Sequence, residues 1–157
     1  MTRPESIRER DWTLVTARAH KGLGWVYTTK HAFPEAESEL DTALKLNPKD
    51  AEVSYWLGSA IKTRLQHSGI TATAKAAQSD QVKADIGRAL YHLARASMYD
   101  QEGCLNPQLR ARLRELCHRI YRNYGGQDDS GFDHLLEMVR SDPYPPAGFT
   151  IAALDPR

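Results

Sequence analysis

The side chains of greatest chemical potential in this chain are two cysteines, six histidines and a row of arginines. A thiol beside an imidazole can act as a nucleophile with its base, and clustered thiols and imidazoles can hold zinc. Cys104 and Cys117 are too few for a disulfide framework and lack zinc-site spacing. Both are expected to be buried thiols, the common state of free cysteine. Cys117 and His118 are neighbours in sequence, so on a helix they point about 100° apart and form no catalytic pair by adjacency. His20, His31, His67, His92, His118 and His134 include no pair at metal-ligand spacing on one helix. His92 lies inside an amphipathic stretch and is expected at the edge of a core or an interface. A Gly-rich phosphate loop, a nucleophile elbow and a zinc motif are all absent from the sequence. These residue types point to no enzyme, no metal and no cofactor.

Arg110, Arg112, Arg114, Arg119 and Arg122 could neutralise phosphates from one helix face. They have no aromatic residues interleaved, Glu102 and Glu115 dilute them, and Glu115 is placed to pair with Arg119 one turn later. Twenty-one Lys and Arg stand against twenty Asp and Glu, so the net charge is only +1 and no strong field favours nucleic acid. A solvated helix face is the expectation. Hydrophobic residues at 41% and charged residues at 26% suit a folded globular chain, and 157 residues suit one domain spanning 1–157. The opening MTRPESIRERDW has no apolar run for a signal peptide or a membrane span. The chain therefore reads as cytoplasmic as written, or as a piece of a longer protein, with no membrane partner.

The elements that would position these residues are helices. Phe33-Pro34 opens one with proline in its first turn, Asn47-Pro48 stops it, and Asp50 caps the next. Glu35, Glu37 and Glu39 place negative charge near the start of the first of these. Ile86, Ala89, Leu90, Leu93 and Ala96 recur at helical spacing, as do Leu109, Leu113, Leu116, Cys117, Ile120 and Tyr124, with the arginines assigned to the other side. Asp129 or Ser130 can cap a shorter helix, stopped by Asp142-Pro143. The tail from Tyr144 is interrupted by prolines yet apolar, and is expected to pack on the last helices.

Leu23-Gly24 recurs as Leu57-Gly58, an offset of 58 − 24 = 34 residues, which is the tetratricopeptide period. Tyr27, Ala36, Leu40, Ala43 and Pro48 also fall at that family's consensus positions. Over about residues 17–66 the chain resembles the tetratricopeptide-repeat family. The resemblance implies an all-α, right-handed superhelical stack of antiparallel helix pairs. Repeat 1 would span 17–50, and repeat 2 would span 51–100 with an inserted loop at about 67–80. A degenerate third hairpin at 105–142 and an extended tail at 143–157 would follow. Gly24 and Ala43 are small where helices must approach, and Tyr27 and Leu40 fill the neighbouring space. The stretch from ALYHLARASMYD to PPAGF is also similar to the C-terminal part of a group of bacterial tetratricopeptide proteins, a likeness that adds no mechanism.

In this family the first helix of each pair lines a concave surface on which a peptide or protein partner lies. Carried over by position, the groove would be lined by Arg18, Lys21, Trp25, Thr28 and Thr29, then by Glu52, Tyr55, Ser59, Lys62 and Thr63. Trp25 and Tyr55 would supply aromatic anchors, and Arg18, Lys21 and Lys62 charge-assisted bonds to an acidic ligand. The chaperone-tail clamp of the family is a poor match. Lys21 stands at its first lysine, but Trp25 and Trp56 replace its asparagines, and an indole cannot supply two amide hydrogens. The expected function is a non-catalytic scaffold that binds a protein or peptide. The alternative is self-association or docking through Trp12, Trp25, Trp56 or the tail. An RNA-binding accessory or a cryptic enzyme built from the loop and the arginine helix ranks below both.

Overall fold

The computed structural model describes Pro4 and residues 7–69, 79–101 and 103–154. Among these, the regular structure is helical: α1 (Glu9–Thr29), α2 (Phe33–Leu46), α3 (Ala51–His67), α4 (Asp80–Met98), α5 (Pro107–Asn123), α6 (Asp129–Ser141) and a 3₁₀ turn at Ile151–Ala153. Side-chain caps begin four of the helices. Asp50 accepts from the Glu52 and Val53 N–H groups, Ser79 from Val82, Asn106 from Leu109, and Asp128 from Ser130 and Gly131. The α6 cap is thus Asp128, one position before the expected Asp129 or Ser130. Asp128 is extended, with φ −139° and ψ 179°, which folds its carboxylate back over the first turn, while Asp129 in that turn favours the helix dipole and meets His118 Nε2 at 2.9 Å.

One contact recurs in the first two helix pairs. A Cβ at Gly24 would lie 2.5 Å from Leu40 Cγ and 3.3 Å from the Ala36 carbonyl. A Cβ at Gly58 would lie 2.8 Å from Leu93 Cγ and 3.0 Å from the Ala89 carbonyl. In each pair a glycine on one helix receives a leucine and the backbone one turn before it, so the helices pack at close range. The glycines are 34 residues apart and the leucines 93 − 40 = 53, so the second pair carries 53 − 34 = 19 extra residues between its glycine and its leucine, shared between longer helices and a longer connection. Within the expected insertion at about 67–80, α3 runs to His67 and α4 begins at Asp80. The remainder, 70–78, lies outside the described residues.

The centre of the core is α4, buried almost continuously from Asp85 to Ser97. It packs on α3, α5, α6 and the 3₁₀ turn, while α1 packs on α2 and α2 on α3. At the turn joining them, α5 and α6 meet through Tyr121 and Phe132, whose ring centroids are 5.7 Å apart. The tail does not rest on the last helices alone, as expected. Phe149 lies against Gly87 of α4, where a Cβ would come within 3.2 Å of it, and meets the Tyr91 ring edge-on at 5.5 Å. Tyr144 donates its hydroxyl hydrogen to the Asp41 carbonyl of α2 at 3.3 Å. The missing side chain at Gly87 makes the hollow that takes the phenyl ring, and this draws the tail back across α4.

Buried polar groups tie the layers together. Arg64 of α3 pairs with Glu37 of α2 at 2.6 Å and Asp85 of α4 at 3.1 Å, and Arg88 reaches the same two carboxylates. Burial works against the Arg64 charge, but Glu37 and then Asp85 outweigh it and hold its pKa above the ordinary value. Arg95 is only 6% exposed and has no carboxylate partner among the described residues. It donates to the carbonyls of Val139 at 2.8 Å, Asp142 at 3.1 Å and Pro48 at 2.8 Å. Tyr91 donates to Asp142 O at 3.1 Å, so α4 satisfies the end of α6 and the α2–α3 turn together. Of the two thiols expected to be buried, only Cys117 is, and burial pushes its pKa up to about 12. Cys104 is exposed because it lies in the irregular segment before α5 rather than on a packed helix face.

Candidate functional site

Along one side of the molecule α3 and α5 run in the same direction and stand apart. Tyr55, Ser59 and Lys62 face Leu109, Arg112, Leu113 and Leu116 across a hollow of about 250 Å³. Further along both helices, Lys62, Leu65 and Gln66 face Leu116, Arg119, Ile120 and Tyr124 across a second hollow of about 280 Å³. The two share Lys62 and Leu116 and so form one cleft. Its floor is α4, which offers Leu93 to the first hollow and Ile86 and Ala89 to the second. Among the described residues three cations line the cleft, Lys62, Arg112 and Arg119, and no carboxylate does.

A larger hollow of about 710 Å³ lies at the other end of the row, between α1, the α2–α3 turn and the segment before α5. Among the described residues Arg10, Arg18, Lys21 and Lys49 line it, against two carboxylates, Asp50 and Glu52. Lys21 bridges both carboxylates, at 3.0 Å from Asp50 and 2.8 Å from Glu52. Burial opposes the Lys21 charge, but bonds to Glu52 and Asp50 outweigh it and raise its pKa. The same ammonium lowers the Glu52 pKa. Arg10, Arg18 and Lys49 make no ion pair among the described residues, and the exposed Cys104 stands in the same wall.

The structure divides the groove residues expected from sequence. Arg18 and Lys21 line the larger hollow, and Tyr55, Ser59 and Lys62 line the cleft. Lys21 already holds two carboxylates, so it braces α1 against the start of α3 as well as charging the wall. Tyr55 is half-buried and tilts against Trp56 at 5.4 Å, packing on the core as well as facing the cleft. Trp25 lines none of these hollows and stands 47% exposed on α1. Thr28 lines none either, and its hydroxyl donates to the Gly24 carbonyl at 2.8 Å.

The α5 wall was missed as a site. Its apolar stripe was visible, but the arginines were assigned to the opposite side. Arg112 and Arg119 instead flank the stripe at the cleft, since residues 112, 116 and 119 fall within one narrow arc of a helix. The Glu115–Arg119 pair is not formed among the described residues. Arg110 donates instead to the Tyr99 carbonyl at 3.2 Å, and Arg122 to the Gln127 carbonyl. His92 is buried in the core rather than at its edge, 2% exposed, with Nδ1 unpartnered. Burial, reinforced by the Arg88 charge, lowers its pKa to about 3. His31 and His67, distant in sequence, bring their rings within 4.5 Å. No group of three or more His, Cys, Asp or Glu side chains among the described residues is placed to hold a metal ion. Among those residues no helix is long and apolar enough to cross a membrane.

Comparison with family models, curated proteins and solved structures found no match to this chain.

Proposed function

We propose that this chain is a non-catalytic binding module of the tetratricopeptide type, in which the α1, α3 and α5 side of a right-handed stack of helix pairs receives a protein or peptide. The observation that carries the reading is the cleft between α3 and α5, lined by Tyr55, Ser59 and Lys62, with an apolar floor. The 34-residue recurrence and the repeated glycine–leucine contact support the repeat assignment. Hollows of about 250 and 280 Å³ lie below the usual range for small-molecule sites, roughly 300–1,000 Å³, and suit single anchoring side chains of a larger partner. Selection of a random peptide library against the folded chain tests the reading. Enriched peptides that lose affinity when Tyr55 or Arg18 is changed are the expected outcome, and a library that yields no enrichment counts against it.

A second reading, self-association or docking, is favoured by one observation. The large apolar side chains exposed among the described residues, Leu14, Val15, Leu23 and Trp25, all stand on α1. Light scattering across concentrations distinguishes the two readings. A mass that stays monomeric for both the wild type and Val15→Glu leaves self-association without support.

A further inference from the structure

Resting on the module reading above, we infer that the α3–α5 cleft takes an amphipathic helix of a protein partner whose apolar anchors are flanked by carboxylates. The charge of the walls chooses the partner. Lys62 on one side and Arg112 and Arg119 on the other line the cleft, and no acidic residue among the described residues does. Arg112 and Arg119 have no ion-pair partner among the described residues, and Lys62 Nζ reaches only Gln66 Oε1, at 3.3 Å. Glu115 lies on the solvent side of the arginines and does not line the cleft. Three cations without local partners around an apolar floor are complementary to carboxylates around apolar side chains.

Spacing chooses the conformation. The two hollows are centred about six residues apart along α3 and about eight along α5, which at 1.5 Å per residue is roughly 9–12 Å. Residues i and i+7 of a helix stand about 10.5 Å apart on one face, and the residue at i+3 or i+4 falls between them over Leu116. In a strand, same-face residues are about 6.8 or 13.6 Å apart and fall outside that span. The aliphatic floor of Ile86, Ala89 and Leu93 offers bases no stacking surface between Tyr55 and Tyr124 at the two ends, and suits the apolar side chains of a peptide.

The test is a random library of peptides of about 16 residues, long enough for four helical turns, selected on the full chain and measured by fluorescence anisotropy. Enriched peptides should carry apolar residues at i, i+3 or i+4 and i+7, with Asp or Glu between. The double variant Lys62→Glu with Arg119→Glu should bind them at least about tenfold more weakly with its melting temperature unchanged. Arg114→Glu, on the same helix away from the cleft, should not change binding. Replacing the acidic residues of a selected peptide by lysine should abolish binding to the wild type and restore it to the double variant. Enriched peptides without acidic residues, or indifferent to the double variant yet lost with Arg18→Glu, would overturn this assignment while leaving a binding module elsewhere on the chain. Salt-sensitive binding of a single-stranded oligonucleotide that competes with the peptides would also overturn it. No enrichment at all would remove both readings.

Discussion

Glycine acts here through two opposite surroundings on a single helix. At Gly24 an added methyl would meet Leu40 Cγ at 2.5 Å, whereas at Gly22, half a turn away, it would meet nothing within 4 Å. Gly24→Ala should therefore cost about 1–3 kcal/mol through overpacking. Gly22→Ala should gain roughly 0.5–1 kcal/mol from helix propensity. Thermal melts of the two variants should move in opposite directions. His92 offers a second test. Its folded pKa of about 3 lies below the unfolded value near 6.5, so between these pH values the unfolded chain binds the extra proton. That contribution to stability is complete above about pH 6.5 and is lost as pH falls towards 3, at up to about 1.4 kcal/mol per unit. Denaturant titrations at pH 7 and pH 5 should show a smaller acid loss for His92→Leu than for the wild type.

Among the elements, α4 packs on α3, α5, α6 and the 3₁₀ turn, and Arg95 is its principal polar tie. The guanidinium donates to the carbonyls of Val139, Asp142 and Pro48 and lies 5.7 Å from the Tyr99 ring centroid, so a neutral side chain leaves Val139 and Pro48 without that donor, while Asp142 keeps Tyr91. Arg95→Met should destabilise by about 2–4 kcal/mol, seen as a lower denaturant midpoint with an unchanged slope. Loosening should appear first in amide exchange at the end of α6 and in the turn before α3, because these are the backbones Arg95 clamps. The sequence showed α4 as an amphipathic helix of ordinary pattern. Its near-complete burial is a consequence of α3, α5, α6 and the tail all choosing it as their neighbour.

Over the whole molecule, the C-terminal tail closes the core. Phe149, Ile151 and Leu154 are each less than a tenth exposed, and the tail reaches back as far as α2 through Tyr144. Phe149→Ala should cost about 3 kcal/mol, the scale of emptying a buried aromatic site. A circular-dichroism melt that matches the wild type would show that the tail does not hold α4. The same arrangement leaves α5 leaning on α4 and away from α3, which opens the cleft. A binding surface of this kind is a property of how three helices are spaced, and none of them contains it alone.

Local chemistry was legible in the chain: proline at the start of α2, Asp50 as the α3 cap, the 34-residue recurrence and the glycine that must meet Leu40. These follow from backbone geometry and from periods within one or two helices, which a sequence carries directly. Arg18, Lys21, Tyr55, Ser59 and Lys62 are expected at a groove only through the resemblance to the repeat family. The tertiary structure alone decided which of them face a hollow. It set Lys21 across Asp50 and Glu52, left Trp25 outside the clefts, turned Arg112 and Arg119 towards Lys62, and buried His92 under Tyr144. Those outcomes depend on the separation and tilt of helices distant in sequence. Such angles are set by the sum of many side-chain contacts across the core, and no short pattern in the chain encodes them.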